Sequence, residues 1–303
     1  MKKFFSWLAL FLKGAVMGIA NVIPGVSGGT LAVIMGIYDK FISAISNILK
    51  DFIKNLLFLL PIVLGMGASI IISSKVIGNA LEAIPLATAL FFEGLIIGGI
   101  PILYKKIKGH EKKPLNIVIF LIVFALLLVY TFAFGGINNE VVIVEFNFVE
   151  YLKLFLVGVV GAATMIIPGI SGSMTLMVLG YYNLVVTDAV GNIANFDLLS
   201  RNLNILIPFG LGCVIGIVVI AKIVEYLLKK FEIKTYFAIF GFVFASMIIV
   251  ICQNIPQEFR VWELLLGFVF MAIGFFVSYF VSIGKIKLGS WEPFKKKEIE
   301  NNK

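Results

Sequence analysis

Charge is scarce in this chain. Of 303 residues, 14% are Asp, Glu, Lys or Arg, against 60% hydrophobic residues and a mean hydropathy of +1.07. A soluble globular domain carries about 25% charged residues, so that class is excluded. There is one histidine, His110, and two cysteines, Cys213 and Cys252, both inside apolar runs. These supply neither a metal-ligand spacing nor a disulfide framework, and they leave serine hydroxyls without the base that nucleophilic catalysis needs. The phosphate loop G-x-x-x-x-G-K-[ST] is missing, which argues against an ATP-driven pump. The expectation is a protein that is not an enzyme and has no cofactor and no metal. Period-two alternation is missing as well. The elements that cross lipid are therefore helices, which satisfy their own backbone groups.

What the chain does have is long apolar runs, near the ~20 residues that cross a ~30 Å hydrocarbon core. Six read as full spans, at about 56–74, 86–104, 115–135, 203–222, 235–252 and 261–281. The opening Met1-Lys2-Lys3 and the run after it resemble a signal peptide, but no small-residue cleavage site follows. Loop 105–113 holds Lys105, Lys106, Lys108, Lys112 and Lys113, and the tail holds Lys285, Lys287, Lys295, Lys296 and Lys297. Connections 136–152 and 183–202 instead carry Glu140, Glu145, Glu150, Asp188 and Asp197. By the positive-inside rule, both termini of this multi-pass protein are cytoplasmic. The net charge of +8 then faces anionic membrane lipid and not nucleic acid.

One phrase occurs twice: Ile23-Pro24-Gly25-Val26-Ser27-Gly28 and Ile167-Pro168-Gly169-Ile170-Ser171-Gly172. A shift of 144 also pairs Gly14 with Gly158, Gly36 with Gly180 and Tyr38 with Tyr182. A shift of 147 pairs Pro61 with Pro208, Gly65 with Gly212, Lys75 with Lys222, Thr88 with Thr235 and Gly94 with Gly241. A duplicated membrane chain with Gly/Pro breaks at matching places is a transporter pattern. The charge pattern holds only if neither Pro-Gly-Ser segment crosses the membrane. Gly14 to Ile23 would then be a half-helix of about 15 Å, returning after Pro24. The resulting fold class is an all-α polytopic membrane protein with an inverted-topology repeat, each half a re-entrant helical hairpin plus three transmembrane helices. The first repeat covers 1–135 (hairpin about 4–38), an external linker 136–152, the second repeat 153–284 (hairpin about 154–182) and a cytoplasmic tail 285–303. The competing reading makes 4–23 one span with a kink, which places Lys13 within the membrane.

Opposed hairpin tips near the midplane mark the expected substrate site. Ser27 and Ser171 stand where they would cap the returning half-helices, whose first N–H groups lack intrahelical partners and favour anions. Gly25, Ser27, Gly28, Gly29, Thr30, Gly169, Ser171, Gly172 and Ser173 are the candidate phosphate-binding residues, with further donors from Asn21, Thr164 and Thr175. Close helix packing is the alternative reason for such small residues. Lys75 and Lys222, at the outer and inner boundaries, either draw in an anionic headgroup or snorkel. Glu93 is either a proton- or sodium-coupling carboxylate, or a buried group satisfied by a hydrogen bond or a partner lysine. Arg201 faces outward as a possible headgroup contact, while Asp39 and Asn183 read as helix caps.

The segment Gly18-Ile19-Ala20-Asn21-Val22-Ile23-Pro24-Gly25-Val26-Ser27-Gly28-Gly29-Thr30, with Gly36-Ile37-Tyr38-Asp39 after it, resembles the opening signature of the bacterial polyprenyl-phosphate transporters, once known only as a membrane domain of unknown function. Ile167 to Ser173, with Gly180 and Tyr182, is similar to the second signature. The resemblance implies recycling of undecaprenyl phosphate, the lipid carrier of cell-wall precursors, from the outer to the inner leaflet. The competing functions are a small-anion transporter or channel for chloride or inorganic phosphate, and a membrane accessory protein without transport.

Overall fold

The computed structural model describes residues 2–22, 27–109, 113–134, 141–143, 145–193, 195–254 and 261–282, with side chains except those of 2–3, 22, 71–83, 253–254 and 281–282. All regular structure among them is helical. The helices are α1 (Lys2–Val22), α2 (Gly28–Ile34), α3 (Tyr38–Ser46), α4 (Phe52–Ala83), α5 (Pro85–Ile107), α6 (Pro114–Phe134), α7 (Phe148–Ile166), α8 (Gly172–Val178), a π-helical segment Asn183–Val190, α9 (Leu199–Lys230), α10 (Glu232–Asn254) and α11 (Val261–Ser282). Eight are long and apolar enough to span a membrane, so the chain is an all-helical, multi-pass membrane protein.

The duplication recurs in the helices. α4 and α9 are both 32 residues and α5 and α10 both 23, each pair displaced by 147; α2 and α8 are both seven, displaced by 144. Gly36 (φ +66°) ends α2 and Gly180 (φ +81°) ends α8 in a left-handed conformation that side chains rarely adopt.

Contacts repeat too. Gly14 lies on the Ile62 carbonyl and Gly65 on the Phe11 carbonyl; the equivalent Gly158 lies on Phe209 and Gly212 on Phe155. Further along, Gly18 meets Met66, and Val159 meets Gly216. The contacting residues rise together, so α1 runs parallel to α4 and α7 parallel to α9. The chain between each pair must return to the end where the first helix began. Small residues let these backbones approach where lipid offers no hydrophobic drive.

The first arms correct one expectation. The sequence predicts a ten-residue half-helix from Gly14, but α1 is helical for 21 residues and α7 for 19. Lys13 is the residue that argues against a long α1. That side chain is buried, and its ammonium donates to the Met35 carbonyl just beyond α2 (3.4 Å). The return arms are short: seven and nine residues in α2 and α3, with α8 and the π-helical segment bent 112° apart.

Candidate functional site

The two copies of the signature touch. Ser27 precedes α2 in extended conformation, and its Oγ accepts the Gly29 N–H (3.2 Å), capping the helix as expected. The same hydroxyl donates to the Ile167 carbonyl of the second signature (3.4 Å). Asn21 Oδ1 accepts the Gly28 N–H (3.0 Å). Thr30, the third residue of α2, accepts the Gly169 N–H at 2.7 Å. Gly169 has φ +84°, and a Cβ there would strike the Phe242 carbonyl of α10 at 2.5 Å. From the end of the first hairpin, the Tyr38 hydroxyl donates to the Ile166 carbonyl (3.3 Å).

Asn21, Ser27, Gly28, Gly29, Thr30 and Gly169 therefore form one buried polar junction, with Ser27 and Thr30 each 1% exposed. Its amides are occupied by the protein's own oxygens, as buried donors must be. α2 and α8 have only two turns each, so neither brings a long helix dipole to the junction.

The second tip departs from the expected symmetry. Ser171 holds the N-cap position of α8 but makes no side-chain cap; its hydroxyl pairs with that of Ser173 at 2.8 Å. Thr175 donates to the Ser171 carbonyl (3.1 Å) and accepts from Tyr130 of α6 (3.2 Å). Gly172 is buried against Met165 of α7. Thr164 spends its hydroxyl on Gly161 of its own helix (2.7 Å). Gly25 and the Lys75 side chain lie outside the described residues. Lys222 is exposed on α9 and Arg201 half-buried near its start; neither hydrogen-bonds a tip among the described residues.

Glu93 of α5 is 1% exposed, and neither carboxylate oxygen has a hydrogen-bond partner among the described residues. Asp39 does not act as a helix cap. Its two oxygens share the single hydroxyl proton of Tyr236 of α10 (2.6 and 2.7 Å), and one of them pairs with Lys106 of α5 (2.6 Å). A cavity of about 20 Å³, with room for one water, lies against these three side chains. Glu225 of α9 accepts from Ser43 of α3 (3.0 Å) and from Asn47, which follows that helix (2.8 Å), and pairs with Lys229 (2.8 Å). Sequence reasoning missed Tyr236, Lys106 and Glu225, because a partner 197 residues away leaves no local signal.

The family model described as undecaprenyl phosphate translocase-like matches residues 17–264. A protein of Staphylococcus aureus named polyprenyl-phosphate transporter is 32% identical over 286 residues, covering 93% of this chain and 97% of its own. A Vibrio cholerae protein of the same name is 31% identical over 259 residues, covering 81% of this chain and 78% of its own. No solved structure matches. The family and these relatives are named as transporters, not enzymes, and the chain, matched over residues 17–264, belongs to the undecaprenyl phosphate translocase-like family.

Proposed function

We propose that the protein is a flippase that returns undecaprenyl phosphate, or a related polyprenyl phosphate, from the outer to the inner leaflet of the bacterial cytoplasmic membrane for cell-envelope synthesis. The observation that carries this reading is the hydrogen bond from Gly169 to Thr30, which joins the two signature turns through groups suited to a phosphate. In this conformation the donors are held by protein oxygens. A phosphate takes them over as the tips part, so binding and opening become one event, while the prenyl tail stays in lipid.

Helix directions support an inverted repeat. α5 and α6 are joined by the short segment 108–113, so as consecutive spans they run antiparallel. α11 is the repeat equivalent of α6, yet Gly94 meets Met271 and Gly98 meets Phe275, so α11 runs parallel to α5. Equivalent helices thus point in opposite directions. With the lysine-rich ends cytoplasmic, each Pro-Gly-Ser segment is a re-entrant turn within the repeats 1–135 and 153–284.

Alternating access follows from an asymmetry in the latches. Asp39, Lys106 and Tyr236, together with Ser43, Asn47 and Glu225, tie the first half to the second at the cytoplasmic end. The equivalent positions on the outer side hold Asn183, Gln253, Ala89, Thr187, Gly191 and Gly78, which cannot form such ion pairs. This conformation is closed towards the cytoplasm, and rocking the halves breaks the latch. Glu93 couples the cycle to a proton or sodium ion. Lys75, Arg201 and Lys222 attract the headgroup at the two membrane surfaces.

The test is translocation in proteoliposomes, with undecaprenol and chloride flux as controls. Movement of undecaprenyl phosphate alone is the expected result. Chloride or inorganic phosphate flux without lipid movement would make the chain a small-anion transporter instead.

A further inference from the structure

We infer that the corner between α9 and α10 binds the phosphate of an anionic phospholipid in the inner leaflet. The side of the membrane rests on the orientation proposed above, and the site on its own geometry. α9 ends at Lys230 and α10 begins at Glu232, so Phe231 alone makes the turn. Its N–H donates to the Leu227 carbonyl (2.8 Å), and its carbonyl accepts from the Thr235 amide and hydroxyl (both 2.9 Å), which fixes the corner from both helices. Here the ends of α9 and α10 and the start of α6 leave an open recess of about 460 Å³, within the roughly 300–1,000 Å³ of ligand pockets. Lys230 and Lys234 line it, facing Lys113 and Asn116 at the start of α6.

One ring gathers two of the cations. The ammoniums of Lys230 and Lys234 lie 5.5 and 5.2 Å from the centre of the Phe231 ring. Lys230 also donates to the Tyr226 hydroxyl (2.9 Å), a neutral partner, and neither lysine makes an ion pair among the described residues. Lys113 has a contact of its own and Lys229 pairs with Glu225 (2.8 Å), so the charge left over is that of Lys230 and Lys234. Glu232 also lines the recess but pairs with neither of them. Two like charges on one apolar ring are matched by a phosphate, whose oxygens accept from both. The surroundings supply the rest of a lipid site. Leu115 and Val118 of α6 and Ile223 and Leu227 of α9 are exposed and lead from the recess to the depth that these spans cross. A basic recess between spans on the cytoplasmic side, with apolar side chains behind it, suits an anionic headgroup and its acyl chains.

The experiment measures binding to the purified full-length protein in detergent by native mass spectrometry. The probes are phosphatidylglycerol, phosphatidylcholine of the same chains, and inorganic phosphate. Lys230→Gln/Lys234→Gln is expected to weaken phosphatidylglycerol about tenfold and phosphatidylcholine not at all. Lys50→Gln/Lys108→Gln removes the same charge outside the recess and is expected to leave both unchanged. Phosphatidylglycerol affinity that persists in the first variant, or falls equally in the second, overturns the site. Inorganic phosphate that binds with the same lysine dependence, where phosphatidylglycerol does not, makes the recess a free-anion site and overturns the lipid as its occupant. Should the first variant not fold, Glu232→Gln decides. Removing that carboxylate is expected to tighten phosphatidylglycerol about threefold, and unchanged affinity overturns the site. No transport is measured, so a failed site leaves the flippase reading standing, and failed translocation leaves the site.

Discussion

The Gly169 amide donates to the Thr30 hydroxyl across 2.7 Å, linking residues 139 apart in the chain at the point where the two signature turns meet. Thr30→Val keeps the shape and removes the acceptor, leaving a buried amide unpaired at a cost of about 1–3 kcal/mol. Translocation is expected to fall about tenfold or more, and Thr30→Ser to restore it. Transport by Thr30→Val at the wild-type rate in a proteoliposome assay would remove this contact from the mechanism.

Close approach of the tips makes a sharper demand at Gly29. A Cβ there would sit 2.8 Å from the Ile166 carbonyl, whereas one on Gly67 of α4 meets nothing within 4 Å. Gly29→Ala is expected to lower both transport and thermal stability. Gly67→Ala gains about 0.5–1 kcal/mol of helix propensity and leaves transport unchanged. Equal thermal shifts for the two variants would show that the tips have room to spare.

Much of this was legible in the sequence, and the reasons are physical. Apolar run length marked the membrane helices, and the doubled Pro-Gly-x-Ser-Gly phrase marked the junction, because both are local patterns. The symmetry it suggested was too complete: Ser27 caps α2, whereas Ser171 turns to Ser173. Lys13 argued for a short first arm only because its acceptor, Met35, lies across a turn that spacing does not reveal. Asp39 reads as a cap in the sequence because it closes the first hairpin. Its partners Tyr236 and Lys106 come from helices that only the fold brings together.

The Asp39–Tyr236 latch has a testable consequence for access. In a variant lacking Cys213 and Cys252, a cysteine at Val33, which lines the small cavity beside Asp39, reports exposure from the cytoplasmic side. Tyr236→Phe removes a charge-assisted hydrogen bond worth about 1.5–3 kcal/mol, and Asp39→Asn removes the charge behind it together with the Lys106 ion pair. Labelling of that cysteine is expected to quicken about tenfold or more. Unchanged labelling means that the latch does not hold this end closed.

Glu93 gives a separate test of coupling. Glu93→Gln keeps the volume and removes the titrating group. It is expected to abolish acceleration by an imposed proton or sodium gradient while leaving slow exchange of lipid between leaflets. The two gradients are applied separately, so the outcome also identifies the ion. Gradient-driven transport that persists in Glu93→Gln excludes this carboxylate as the coupling site.

The most direct test of the central claim compares undecaprenyl phosphate translocation by the wild type with that of the Ser27→Ala/Ser171→Ala double variant. Ser27→Ala loses a helix cap, about 1 kcal/mol, and Ser171→Ala loses none, so the double variant remains folded by thermal denaturation. Translocation reduced about a hundredfold in folded protein is the predicted result, from two headgroup donors lost together. Translocation at the wild-type rate would contradict the account, because the phosphate would then cross without the paired tips.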